Sequence, residues 1–262
     1  MNQKKAVLVT SFGTSHLDTL EKTIAAIEQA IAAALPDFTL RRAFTSSIIM
    51  KKLKTRDGLV IDNVTEALNR LVDEGFTQVV IQPTHILCGE EYEKLCALAA
   101  PFVEKLTISM GTPLLRTIGQ HWDLAKVMKD LLPKPEEDEA ILFMGHGSPH
   151  YANAAYALLQ YLLEDIGAER IFIGTVEGCP TLEQVIRRMK QNEKIRKLTV
   201  LPLMVVAGDH ACNDMAGDEE DSWKNILTAE GYEVTCLLQG LGENSQIQAL
   251  FARHALDAAE KL

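Results

Sequence analysis

Short runs of β-branched and aliphatic residues alternate along the chain with stretches whose apolar positions recur every three or four residues, the pattern of strands separated by amphipathic helices. Residues 6–10 predict a buried strand. Leu20, Ile24, Ile27 and Ile31 follow at helical spacing, and Pro36 closes that helix. Further strands are predicted at 38–44, 78–82 and 106–110. Helices are predicted from Ser46 through Leu53, from Asp62 or Asn63 through Val72, over 90–105 and over 122–131. Ser46, Asp62 and Asn63 are N-capping types, and Gly75 stands just past a helix end. The acidic, proline-containing segment 133–139 then interrupts the pattern. Behind it the alternation restarts, with strands at 140–144, 170–176, 198–203 and 232–237. Helices there cover 151–165 and 181–191, one or two segments up to Glu230, and 245–262. Strands separated by helices imply right-handed crossovers and parallel sheets.

The two stretches match each other. Ser11-Phe12-Gly13-Thr14-Ser15 follows the first strand and Gly145-His146-Gly147-Ser148 follows the fifth; aligning Gly13 with Gly147 sets Phe12 opposite His146. Pro83 to Gly89 and Pro202 to Gly208 have the same spacing, which sets Glu91 opposite His210. The expectation is an α/β fold of two doubly wound parallel-sheet halves related by internal duplication, 1–132 and 140–262, with a cleft between them. Residues 133–139 are the linker, and the C-terminal helix is free to pack back on the N-terminal half.

Ligands of open parallel sheets bind outside the carboxyl ends of the strands. Three polar residues of the second half stand there beside glycines: His146, Glu177 and His210. Two imidazoles and a carboxylate suit a divalent metal of borderline softness, zinc, cobalt, nickel or iron(II), and the same groups can accept protons near neutral pH. The alternative is a pair of satisfied loop histidines and a helix-capping glutamate. Gly145-His146-Gly147-Ser148 is also open to reading as a phosphate loop, but it lacks the P-loop lysine and the third glycine of a dinucleotide fingerprint. Neither Ser11 nor Ser148 lies in a nucleophile elbow. In the first half, His85 and Glu91 are expected to face the metal site, with a first-turn helix acid as the plainer reading of Glu91. His150 is assigned to a helix start, Cys88 to a small buried side chain, and His16, His121 and His254 to the surface. The acidic run Asp214, Asp218, Glu219, Glu220 and Asp221 reads as a solvated edge or a cation-gathering one. The basic run Arg41, Arg42, Lys51, Lys52, Lys54 and Arg56 is the anion-recognising candidate.

Composition narrows the partners. The 262 residues carry a formal net charge of −10, which argues against bulk attraction to nucleic acid or anionic lipid. No apolar run is long enough to span a bilayer, and the run at 6–10 is too short for a secretory signal. The five cysteines are odd in number and never spaced as CxxC, so a disulfide framework and a structural zinc are not expected, and a reducing cytoplasm fits best. A homo-oligomer is compatible with the pattern, which does not fix it.

Val9-Thr10-Ser11-Phe12-Gly13-Thr14-Ser15, Arg42-Ala43-Phe44-Thr45-Ser46, the segment from His85 to Glu93, Met144-Gly145-His146-Gly147, the segment from Pro202 to His210, Asn213-Asp214-Met215-Ala216 and Gly240-Leu241-Gly242-Glu243-Asn244 occur in that order. Together they resemble the anaerobic cobalt chelatases of cobalamin synthesis, the CbiK type, over essentially the whole chain. The resemblance implies a class II chelatase fold and ATP-independent insertion of cobalt(II), as substrate and bound metal, into the tetrapyrrole sirohydrochlorin, with no nucleotide. It places metal-binding histidines at His146 and His210 and carboxylates at Glu177 and Glu91, with His146, His210 and Glu91 catalytic and His146, Glu177 and His210 on the metal. Ser11, Phe12, Gly13, Thr14 and His85 fall to tetrapyrrole binding; some periplasmic relatives bind haem, and His85 falls in the region of their haem ligand. The alternatives are an iron or nickel chelatase on the same tetrapyrrole, or a non-catalytic tetrapyrrole or metal carrier.

Overall fold

The computed structural model describes residues 4–262; Met1, Asn2 and Gln3, which precede the first apolar run, lie outside the described residues. The chain divides into two compact units, one reaching to Arg116 and including Ser245–Leu262, the other Thr117–Asn244.

The first unit is built on β1 (Lys5–Ser11), β2 (Thr39–Phe44), β3 (Gln78–Pro83) and β4 (Thr107–Met110), a parallel sheet in the order β2-β1-β3-β4. Its helices are α1 (Leu17–Leu20), joined through a π-helical turn at Glu21–Ala25 to α2 (Ala26–Ala34), then α3 (Ser47–Asp57), α4 (Val64–Asp73) and α5 (Glu90–Ala99). In the second unit α6 (Ile118–Asp130) precedes β5 (Glu139–Gly145), and α7 (Ala154–Asp165), β6 (Ile171–Thr175), α8 (Leu182–Met189), β7 (Lys197–Pro202), α9 (Trp223–Ala229) and β8 (Glu233–Cys236) follow. Its sheet is again parallel, in the order β6-β5-β7-β8. The last helix, α10 (Ser245–Ala259), belongs to the first unit.

The central strands are buried on both faces, as parallel sheets require: Ala6, Val7, Leu8 and Val9 are fully enclosed in β1, as are Leu142, Phe143 and Met144 in β5. Side chains set the helix starts. Asn63 caps α4 and Thr181 caps α8, each in a capping box with the residue three positions on, Glu66 and Gln184.

The unit boundary differs from the linker expected at 133–139. Thr117 and Gln120 form a capping box that starts α6 at Ile118, earlier than the 122 expected, and α6 packs on α7 within the second unit. Apolar positions Ile247, Phe251 and Ala255 of α10 are buried, and that helix packs on α2, β3 and β4. The helix expected over 90–105 stops at Ala99, because Pro101 cannot continue the hydrogen-bond ladder; a short 3-10 turn at Ala100–Phe102 follows.

Candidate metal centre

His146, Glu177 and His210 all leave carboxyl ends of neighbouring strands of the second sheet, β5, β6 and β7. Pairing continues past the strand ends. The Val176 N–H donates to the Gly145 carbonyl (3.1 Å) and the Glu177 N–H to that of His146 (2.7 Å), so the backbones of two of these residues are hydrogen-bonded to each other. Gly147 has φ +83°, and a Cβ there would sit 2.5 Å from the Gly178 nitrogen; only glycine lets the two loops close up in this way. Asn153 links them again, accepting from the Ser148 N–H (3.1 Å) and donating to the Cys179 carbonyl (2.7 Å).

One ligand atom from each of His146, Glu177 and His210 lies within 4.8 Å of the others. The imidazole rings meet edge to face, 4.6 Å between centroids, and Glu177 Oε2 is 3.8 Å from His146 Nδ1. Each ring is held through Nδ1. That of His146 lies 2.8 Å from the Gly147 carbonyl, and that of His210 lies 2.5 Å from Asp214 Oδ2. A carbonyl and a carboxylate can only accept, so both Nδ1 atoms donate, which leaves the Nε2 lone pairs for a metal. The π-helical turn Ala211–Met215 carries Asp214. All three side chains are open to solvent, at 46%, 56% and 39%. Three side chains of these types with one side open to solvent could hold a borderline divalent ion and leave coordination positions free.

The other expected site residues lie in the first unit. Glu91, in the first turn of α5, is ion-paired with Lys94 at 2.9 Å. Burial works against its charge, but Lys94, and His85 to a smaller extent, hold its carboxyl below the usual range. Both ring nitrogens of His85 are shut off from solvent without a hydrogen-bond partner, and this desolvation lowers its pKa to about 4. Ser11 is buried and accepts from the Thr84 hydroxyl (2.8 Å); Thr14 is buried and accepts from the His16 N–H (3.2 Å). Gly13 takes φ +99° over the Phe44 ring, whereas Phe12 is 53% exposed.

Some assignments change. His121 and His254 are buried rather than on the surface, because each lies on the inward side of its helix with Nδ1 against a carbonyl, of Thr117 and Thr112 respectively. His150 stands at a helix start as expected, its Nδ1 accepting from the Ala152 N–H. Asp214 is drawn out of the acidic run by His210, four residues before it; that helical spacing is a signal present in the sequence. Asn153 carries no such signal.

The model of the cobalt chelatase (CbiK) family matches residues 5–260. The chain is 43% identical over 256 residues to a sirohydrochlorin cobaltochelatase of Salmonella typhimurium, covering 96% of this chain and 95% of the relative. It is 30% identical over 263 residues to the sirohydrochlorin cobaltochelatase CbiKC of Nitratidesulfovibrio vulgaris, covering 99% and 92%. Among solved structures, SirB from Bacillus subtilis with Fe3+ superposes with a TM-score of 0.66 at 16% identity, covering 99% of this chain and 97% of that one, which shows a shared fold.

Proposed function

The chain belongs to the cobalt chelatase (CbiK) family, and on that premise we propose that it inserts cobalt(II) into sirohydrochlorin through His146, Glu177 and His210, without a nucleotide. The observation that carries the residue assignment is the convergence of three ligand atoms within 4.8 Å at three adjacent strand ends. Free cysteines throughout and no described helix able to cross a membrane support a cytoplasmic setting.

Insertion exchanges one divalent ion for two pyrrole protons. Before transfer, the Nε2 lone pairs of His146 and His210 and the Glu177 carboxylate hold the incoming ion, replacing part of its water shell. The open side of the site receives the pyrrole nitrogens. As the ion moves to them, the vacated lone pairs of the same side chains accept the departing protons. The Nδ1 bonds to Gly147 and Asp214 keep both rings turned the same way through the exchange, so the ligands do not reorganise during transfer.

Metal-free sirohydrochlorin mixed with the protein and cobalt(II) should convert to the metallated absorption spectrum at a rate proportional to protein. Binding of the macrocycle with no spectral conversion would identify a carrier instead. Parallel reactions with iron(II) and nickel(II) rank the metals.

A further inference from the structure

The six basic residues near the end of β2 separate into two groups. Arg41 pairs with Glu74, Arg42 with Glu28 and Arg56 with Asp57. The side chains of Lys51, Lys52 and Lys54 are exposed on α3 and have no ion-pair partner among the described residues. Leu53 is the inward, fully buried residue of that helix. Opposite it, Ile48, Lys51 and Lys52 share one face at i, i+3 and i+4, with Lys54 one turn from Lys51. Ile48, one turn ahead of Lys51 and Lys52, is 77% exposed. The helix is fixed against the loop after β1. The Ser46 N–H donates to the Phe12 carbonyl (3.2 Å), and the Arg56 guanidinium donates to the Ser15 carbonyl. Phe12 is therefore a neighbour of the helix start, and it too is exposed. Asp57, the acid within α3, is already taken by Arg56.

We propose that the outward face of α3, with Phe12 beside it, is the docking surface for the carboxylate-bearing rim of the tetrapyrrole substrate; this rests on the chelatase reading above. A tetrapyrrole of this class is a flat apolar ring edged by flexible carboxylates. Its complement is exposed apolar side chains, here Ile48 and Phe12, flanked by cations that can follow carboxylates without fixed geometry. Lysine, a compact charge on a flexible stem, meets that need. The remainder of a chain with net charge −10 repels a polyanion, so three unpaired lysines spread over the outward side of one helix provide local attraction that the rest of the surface opposes.

The test is fluorescence titration of metal-free sirohydrochlorin against the full-length wild type, the triple variant K51E/K52E/K54E and a charge-matched control, K22E/K105E/K261E, all at exposed positions. The α3 variant should raise the Kd at least about tenfold, against less than about threefold for the control. K51R/K52R/K54R should restore binding to within about threefold of wild type, and cobalt(II) affinity by calorimetry should stay unchanged in all of them. K51Q/K52Q/K54Q, which removes charge without reversing it, should fall between wild type and the glutamate variant. Equal effects of the two glutamate triples, or none from the α3 triple, would overturn the proposal. A wild type that binds the macrocycle through α3 yet never inserts cobalt sinks the chelatase reading and leaves the docking face standing; a wild type that does not bind it sinks both.

Discussion

The two units repeat one another down to individual hydrogen bonds. Thr84 donates from its backbone to Thr10 as Leu203 does to Met144, and Thr45 donates to Ser11 as Val176 does to Gly145. Ser46 donates to Phe12 as Glu177 does to His146, and Leu114 to His85 as Leu241 does to Met204. Gly13 and Gly147 share a positive φ, and isolated bridges tie Phe44 to Asn63 and Thr175 to Thr181 at the same place. The backbone is thus the same device twice, and the side chains divide its uses. Where the second unit has His146, Glu177 and His210, the first has Phe12, Ser46 and Glu91. A parallel-sheet end provides positions; the residues standing there decide whether they hold a metal, cap a helix or face an apolar ligand. His85 has Met204 as its counterpart, so at this position the first unit carries an ionisable side chain and the second does not.

The sharpest way to break this comparison is to delete the imidazoles. His146→Ala or His210→Ala should lower the cobalt insertion rate on the order of a thousandfold, about 4 kcal/mol. Phe12→Ala, at the position equivalent to His146, should leave kcat within about threefold and act on the KM for the macrocycle. Steady-state spectrophotometry at saturating and limiting cobalt separates the two.

The next largest effect is on stability. Buried without partners, His85 ionises near pH 4 when folded and near about 6.5 when unfolded, so the unfolded chain takes up the proton first. The stabilisation is fully present above about pH 6.5 and is lost as pH falls toward 4, about 3 kcal/mol in all. Urea melts at pH 7 and 4.5 should show His85→Met, which installs the second unit's residue, losing less stability on acidification than wild type. Equal losses would remove His85 from the account.

Glu177→Gln should weaken cobalt(II) binding by about 30-fold, ~2 kcal/mol, in a calorimetric titration. Its counterpart Ser46 caps α3 by accepting from the Ile49 N–H, so Ser46→Ala should cost about 1 kcal/mol of stability and leave cobalt affinity unchanged. Of the effects on cobalt affinity the smallest is expected from Asp214→Asn, about tenfold, because it loosens the His210 ring without removing a ligand.

Much of this architecture is legible in the chain because parallel strands buried on both faces must be short and apolar, and because polar residues beside glycine at strand ends have few structural reasons to be there. His146, Glu177 and His210 stand out on those grounds. Other features depend on what folding brings together. The start of α6 is masked in the sequence although Thr117 and Gln120 form its capping box, since Gly119 weakens the helical pattern behind the cap. The π-helical turn at Glu21–Ala25 leaves the apolar period of Leu20, Ile24 and Ile27 undisturbed and is therefore invisible in it. The buried faces of His121 and His254 follow from helix rotation, and the Asn153 link joins segments far apart in sequence.

The first unit is completed by α10, so its chain is discontinuous: the polypeptide leaves after Arg116, builds the whole of the second unit, and returns with Ser245–Leu262. Synthesis on the ribosome runs in one direction, so the part begun first is finished last. Until Ile247, Leu250, Phe251, Ala255 and Ala258 emerge, the side of the first unit formed by α2, β3 and β4 lacks the helix that packs on it, while the second unit already has every segment it needs. Nascent chains stalled with Asn244 just clear of the exit tunnel should accordingly carry a protease-resistant second unit behind a first unit that is still cut.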